Sequence, residues 1–137
     1  MKATVKWVAD ALFVGESPSG HAVVMDGPPE GGGRNLGARP MEMLLLGMGG
    51  CSAYDVVEIL RKGRQPVSGC EVELRAARAA SAPRVFTQIH LHFRVSGEGL
   101  AADRVQRAVR LSAEKYCSAA IMLAASAELT HSCEVIG

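Results

Sequence analysis

The sequence predicts an α+β fold in which antiparallel sheets surround one long buried central helix. Three observations carry this expectation. Residues 40–63 read as a helix of about six turns, apolar on nearly every face for its first four, and a helix of that kind belongs inside something. Strand-type alternation recurs both before and after it. The strands are separated by helices without regular βαβ alternation, which points to α+β rather than a parallel α/β sheet.

The 137 residues suffice for one domain with a real core, taken as 1–137. A hydrophobic share of 48% and a charged share of 21% describe an ordinary globular chain. The net charge is +1, with Arg and Lys dispersed, so neither a nucleic-acid surface nor a polybasic membrane surface is expected. Met1-Lys2 leads directly into an alternating pattern, so no secretory leader is expected and the location is read as cytoplasmic. The apolar run Met41–Met48 is too short to span a bilayer. In the cytoplasm Cys51, Cys70, Cys117 and Cys133 stay reduced. None forms a CxxC pair and none has His at ligand spacing, so neither a disulfide scaffold nor a structural zinc site is expected.

In chain order, Lys2–Asp10 alternates, with Ala3, Val5, Trp7 and Ala9 on one face, and reads as a half-buried strand. Leu12–Val14 is a second short strand, SPSG at 17–20 a turn, and His21–Met25 a third strand. Residues 1–26 are therefore an antiparallel meander. Asp26–Arg39, rich in Gly and Pro, is a loop of the length usually associated with function or mobility. Its GGGR lacks the Gly-Lys-Ser/Thr of a phosphate loop. Pro40 opens the central helix and Arg61, Lys62 and Gly63 close it. Gly47, Gly49 and Gly50 cost helix stability, which suggests that another backbone passes close by.

A ββααβ part, 68–137, follows. Cys70–Ala79 alternates with Cys70, Val72, Leu74 and Ala76 inward. After the SAP turn at 81–83, Arg84–Val95 places Val85, Ile89, Leu91, Phe93 and Val95 on one face, giving a hairpin. Leu100–Tyr116 is an amphipathic helix with Val105, Ala108, Val109 and Ser112 inside. A short helix at 118–126 and a strand at 129–136 complete the chain.

Two cysteines are candidates for chemistry. Cys51, mid-helix on a glycine-lined face with Tyr54 and Asp55 one turn on, reads either as a small buried hydrophobe or as a functional thiol. Thiol chemistry needs the thiolate, and a mid-helix position gives little help from the helix dipole, so an activating charge must come from elsewhere. Cys117 precedes the apolar run SAAIMLAAS, where a helix N-terminus favours a thiolate; filling a helix-to-helix corner is the equal alternative. Cys70 and Cys133 occupy inward strand positions and read as structural. His90 and His92 share one strand face, but Gln88 and Arg94 beside them give it the look of a solvated face. There is no GxSxG and no triad signature.

RPMEMLLLGMGGCSAYDVVEIL (39–60) and LSAEKYCSAAIML (111–123) resemble the two cysteine motifs of the OsmC/Ohr family, and the order of elements agrees over nearly the whole chain. The pattern is closer to the YhfA-like branch of that family. The resemblance implies an OsmC-like fold and an intertwined homodimer, with two central helices packed together and active sites at the subunit interface. It also implies that Cys51 attacks a hydroperoxide to give a sulfenic acid and that Cys117 resolves it as a disulfide. Two features depart from the peroxidase members. They have Glu directly after the helix-opening Pro, where this chain has Met41, and an activating Arg in the first strand-to-strand turn, where Asp10–Gly20 has none. The nearest carboxylate, Glu42, lies about half a turn around the helix from Cys51 and roughly 13 Å along it. Glu42 and Arg39 (or Arg34) are the candidates for tuning.

Two functions follow as expectations. The first is a thiol-dependent peroxidase reducing organic hydroperoxides in oxidative-stress defence, recycled by an external thiol or dithiol, with no metal or organic cofactor. The alternative is a non-enzymatic dimer binding a small apolar or electrophilic ligand. Neither involves nucleic acid or membrane.

Overall fold

The computed structural model describes all residues, Met1–Gly137. The elements are β1 (Thr4–Ala9), β2 (Leu12–Glu16), β3 (Ala22–Asp26), α1 (Pro40–Lys62), β4 (Gly69–Arg78), β5 (Phe86–Ser96), α2 (Ala102–Leu111), α3 (Ser118–Ala124) and β6 (Glu128–Ile136). The chain clusters into two compact units, Met1–Leu46 and Gly47–Gly137, with the boundary inside α1.

The first unit is the expected meander, β1–β2–β3, antiparallel throughout. Ala9 pairs Leu12 across a two-residue turn, Asp10 takes a left-handed φ of 50°, and the Trp7 indole N–H donates to its carbonyl at 2.9 Å. Instead of the expected half-buried strand, β1 is exposed along its whole length, with Trp7 68% and Val5 60% exposed. The apolar face of this strand has no cover within the chain.

The loop after β3 is organised by one buried carboxylate. Asp26 accepts the backbone N–H groups of Gly27 (2.8 Å), Arg34 (3.1 Å) and Leu36 (3.1 Å). Those three bonds satisfy backbone donors that a glycine- and proline-rich loop leaves without ladder partners. Gly33 is required there, because a Cβ would drive into the Gly27 carbonyl.

The second unit holds the core. Its sheet runs β4–β5–β6 with β5 in the middle. Ile89, Leu91, Phe93 and Val95 point inward and are nearly solvent-free, as alternation predicts. Val85 does not join them. A bulge leaves Thr87 unpaired between the Ala77–Gln88 and Arg78–Phe86 pairs, so the parity of the strand changes and Phe86 is buried instead. β6 is parallel to β5, not antiparallel, because α2 and α3 carry the chain back to the starting end of the sheet before β6 begins. The inner stripe of α2 is the expected one: Val105, Ala108 and Val109 are buried, with Ser112 directly after them.

Helix α1 runs without interruption from Pro40 to Lys62. Glu42, at the third helical position, accepts the Arg39 backbone N–H at 2.7 Å, half of a capping box. At the other end the left-handed residue is Arg64 (φ 58°) rather than Gly63. Gln65 N–H bonds the Leu60 carbonyl and Arg64 N–H bonds that of Arg61, a Schellman closure. Burial within the chain is confined to one stripe, Met48, Gly49, Ser52, Val56 and Leu60, while Leu44, Leu46 and Tyr54 are exposed. By length and composition α1 would also suit a membrane span.

Candidate functional site

The second unit brings Cys51 and Cys117 together, 66 positions apart in the chain. Cys51 is half-buried on α1, and Asp55 lies one turn on, on the same side of the helix. Cys117 comes from the other direction. After α2 the chain widens into a π-helical turn, Ser112–Tyr116, closed by the Cys117 N–H on the Ser112 carbonyl at 2.8 Å. Cys117 then turns extended (φ −74°, ψ 104°) and caps α3, its Sγ accepting the Ala120 N–H at 3.3 Å. The Cys51 Sγ, a carboxylate oxygen of Asp55 and the Cys117 Sγ all lie within 4.8 Å of one another.

Two serines hold this cluster. Ser52, buried beside Cys51, donates its hydroxyl to the Cys117 Sγ at 3.1 Å. Ser112 lies 3.3 Å from both the Ser52 carbonyl and Asp55 Oδ2 and donates toward them. Burial pushes the Cys117 thiol above its ordinary pKa, and the neighbouring Cys51 adds to that, while the Ser52 hydroxyl and the Ala120 N–H pull it down. No Arg, Lys or His hydrogen-bonds either sulfur.

Arg39 and Glu42 belong to the first unit, at the start of α1. The Arg39 guanidinium donates to Asn35 Oδ1 (2.9 Å) and the Gly37 carbonyl (3.3 Å), and Glu42 holds the Arg39 backbone. Arg34 faces Asp10 at 3.9 Å on the surface. Cys70 and Cys133 sit half-buried on β4 and β6, and burial pushes both thiols up. The histidine rings are engaged by β6: His90 bonds Thr130 (2.6 Å) and Ser132 (2.9 Å), and His92 bonds Ser132 (2.7 Å). Asp55, Ser52 and Ser112 carry no motif in the sequence. The only signal for them is position, Asp55 at i+4 and Ser52 at i+1 from Cys51, and Ser112 in the buried stripe continuing α2.

Two spaces border residues of the cluster, one lined by Ser52 and one by Asp55. A cavity of about 210 Å³ is lined by the apolar Leu91, Phe93 and Leu129 and by the polar Ser52, Glu114 and His131, among others. Asp55 borders an open groove of about 440 Å³ together with Tyr54, Glu58, Ile59, Lys62 and Tyr116.

The family model for OsmC-like protein matches residues 31–132, a span that contains both cysteines of the cluster. The chain belongs to the OsmC-like family. A curated OsmC-like relative, Protein YhfA of Escherichia coli K12, is 54% identical over 139 residues, covering 99% of this chain and 98% of the relative. The crystal structure of a hypothetical protein from Aquifex aeolicus VF5 is 30% identical, with a TM-score of 0.87 over 98% of this chain and 95% of that one. The organic hydroperoxide resistance protein OhrB of Bacillus subtilis shares the OsmC-like fold, with a TM-score of 0.66 at 15% identity over 97% and 96% of the two chains.

Proposed function

We propose that this OsmC-like protein is a thiol-dependent peroxidase that reduces organic hydroperoxides. The observation that carries the reading is the proximity of the Cys51 and Cys117 sulfurs, within 4.8 Å, with neighbouring Ser52 lining a cavity and Asp55 an open groove. The Cys51 thiolate attacks the distal peroxide oxygen; the O–O bond breaks, Cys51 becomes a sulfenic acid and the alkoxide leaves as an alcohol after taking a proton. The Cys117 thiolate then attacks the Cys51 sulfur, a disulfide forms, and hydroxide leaves as water. A disulfide needs an S–S distance near 2.05 Å, so the two side chains close by rotamer and loop adjustment. An external dithiol returns both thiols. Ser52 steadies the Cys117 thiolate, and the 210 Å³ cavity admits a short alkyl group.

The working form is a homodimer, soluble in the cytoplasm. What supports this is the resemblance to the family together with the uncovered apolar side of α1 (Leu44, Leu46 and Tyr54) and of β1 (Val5 and Trp7). A second copy would give both faces the cover they lack. Arg39 and Glu42 remain the tuning candidates, acting in that assembly.

A second reading is favoured by one observation. The side chain that stands beside the two thiols is Asp55 and not a cation, so the site lacks the positive neighbour that activated thiols use, and the cavity lined by Ser52 is left as a binding site for a small apolar or electrophilic molecule. One experiment separates the two. Reduced protein is treated with stoichiometric cumene hydroperoxide and its disulfides are mapped by mass spectrometry. A Cys51–Cys117 bond with dithiol-dependent turnover, both abolished by Cys51→Ser, supports the peroxidase. Oxidation no faster than that of a free thiol overturns it in favour of the binder.

A further inference from the structure

The cluster contains a third donor that peroxide reduction does not use. Asp55 points a carboxylate oxygen to within 4.8 Å of both sulfurs, and Ser112 orients that carboxylate by donating to Oδ2 at 3.3 Å. Two cysteine sulfurs and one carboxylate oxygen form a three-point donor set. A tetrahedral zinc ion takes sulfur at about 2.3 Å and oxygen at roughly 2.1 Å. Those bond lengths place the sulfurs about 3.8 Å apart and each roughly 3.6 Å from the oxygen. The donors therefore need to move inward by no more than about an ångström, a shift within the reach of side-chain rotamers.

We propose that reduced Cys51, Asp55 and Cys117 bind one thiophilic divalent cation of the zinc class. The donor types select it: two soft thiolates disfavour magnesium and calcium, which take oxygen ligands, and suit zinc or cobalt. The charge is also right. Two thiolates and a carboxylate converge where no protein cation hydrogen-bonds a sulfur, so an incoming dication supplies the missing positive charge. On binding, the two thiols release their protons to solvent and two metal–sulfur bonds form. Three protein ligands leave the fourth position of a tetrahedral ion to water or a small ligand, the arrangement of an accessible rather than a purely structural site. Ser52 and Ser112 act as positioning residues, holding Cys117 and Asp55.

The test uses the full chain, reduced and anaerobic, titrated with cobalt(II) alone. The expected result is saturation at one equivalent, with a thiolate-to-cobalt charge-transfer band in the near ultraviolet and tetrahedral bands in the visible. Cys51→Ser and Cys117→Ser each lose about half of the charge-transfer intensity. Asp55→Asn keeps both sulfurs and so keeps the band, but weakens affinity by about tenfold or more. That variant keeps the test decisive if a cysteine variant fails to fold. The Cys70→Ser/Cys133→Ser double variant leaves the titration unchanged. Absence of a saturable band, its persistence in both Cys51→Ser and Cys117→Ser, or an unaltered affinity in Asp55→Asn overturns the site. Peroxide turnover measured in chelator is a separate readout, so either property can fail while the other holds.

Discussion

If a second copy covers α1, adding one methyl group there changes stability with a sign opposite to that expected in water. Gly47 and Gly50 lie three residues apart, on neighbouring positions of the helix surface, and a Cβ built on either meets nothing within 4 Å in the single chain. In an exposed helix, Gly→Ala stabilises by about 1 kcal/mol, through lower backbone entropy in the unfolded state. Packed against a partner helix, the same methyl overfills the interface at a cost of about 1–3 kcal/mol, and an isologous contact incurs that cost on both protomers. The net result in a dimer is a loss of up to about 2 kcal/mol per protomer. Gly49→Ala is the internal control. Its Cβ would come 2.7 Å from the Leu74 Cδ1, the end of a flexible side chain, so helix gain and packing cost nearly cancel. Urea unfolding together with sedimentation over a dilution series gives both stability and association. Lower stability and weaker association in Gly47→Ala and Gly50→Ala are expected. A gain of about 1 kcal/mol in each, with unchanged association, would refute a dimer built on this face.

Two further outcomes are expected. Ser52→Ala removes the hydroxyl 3.1 Å from the Cys117 sulfur. A hydrogen bond to a charged acceptor is worth about 1.5 kcal/mol, roughly tenfold in thiolate population, and the greater nucleophilicity of a less acidic thiol returns part of this. Disulfide formation should slow by roughly threefold, read as the lifetime of the dimedone-trappable sulfenic acid; an unchanged lifetime removes Ser52 from the chemistry. For pH, the Leu36 N–H, together with those of Arg34 and Gly27 and the Arg39 charge, holds the Asp26 carboxyl below its ordinary value of 3.8 against the opposing effect of burial. A lowered folded-state pKa means stability that is present above the unfolded value and is lost as pH falls through it toward the folded one. Asp26→Asn should therefore be less stable than the parent at pH 7, with the gap in urea midpoint narrowing by pH 3; a constant gap contradicts this assignment.

The legible parts of the fold were those in which one periodic pattern has one packing solution. The stripe Val105, Ala108, Val109 and Ser112 fixes which side of α2 is buried. The alternation from Ile89 to Val95 fixes the inner face of β5. What periodicity does not encode was not legible. A strand alternates identically in either direction, so the parallel β5–β6 pairing left no trace. The single-residue bulge at Thr87 inverts the pattern without a glycine to mark it. Asp26 carries no sequence signal because two of its partners are backbone N–H groups 8 and 10 positions away. At the site, the motifs drew attention to Cys51 and Cys117, but Asp55 gains meaning only where the π-helical turn delivers Cys117 beside it.

The two proposals for this cluster describe mutually exclusive states of the same sulfurs. Metal coordination uses the lone pairs that attack a peroxide, and the disulfide removes both thiolates from the donor set. Asp55 decides the balance. To a bound dication it is a ligand, whereas the disulfide chemistry of the two sulfurs makes no bond to it. Replacing it by Asn should therefore separate the two properties, weakening cobalt binding while leaving the reaction of Cys51 with hydroperoxide in place. Parallel losses of both would instead mean that Asp55 serves only to hold α1 against the Ser112 turn, with no electrostatic part in either process.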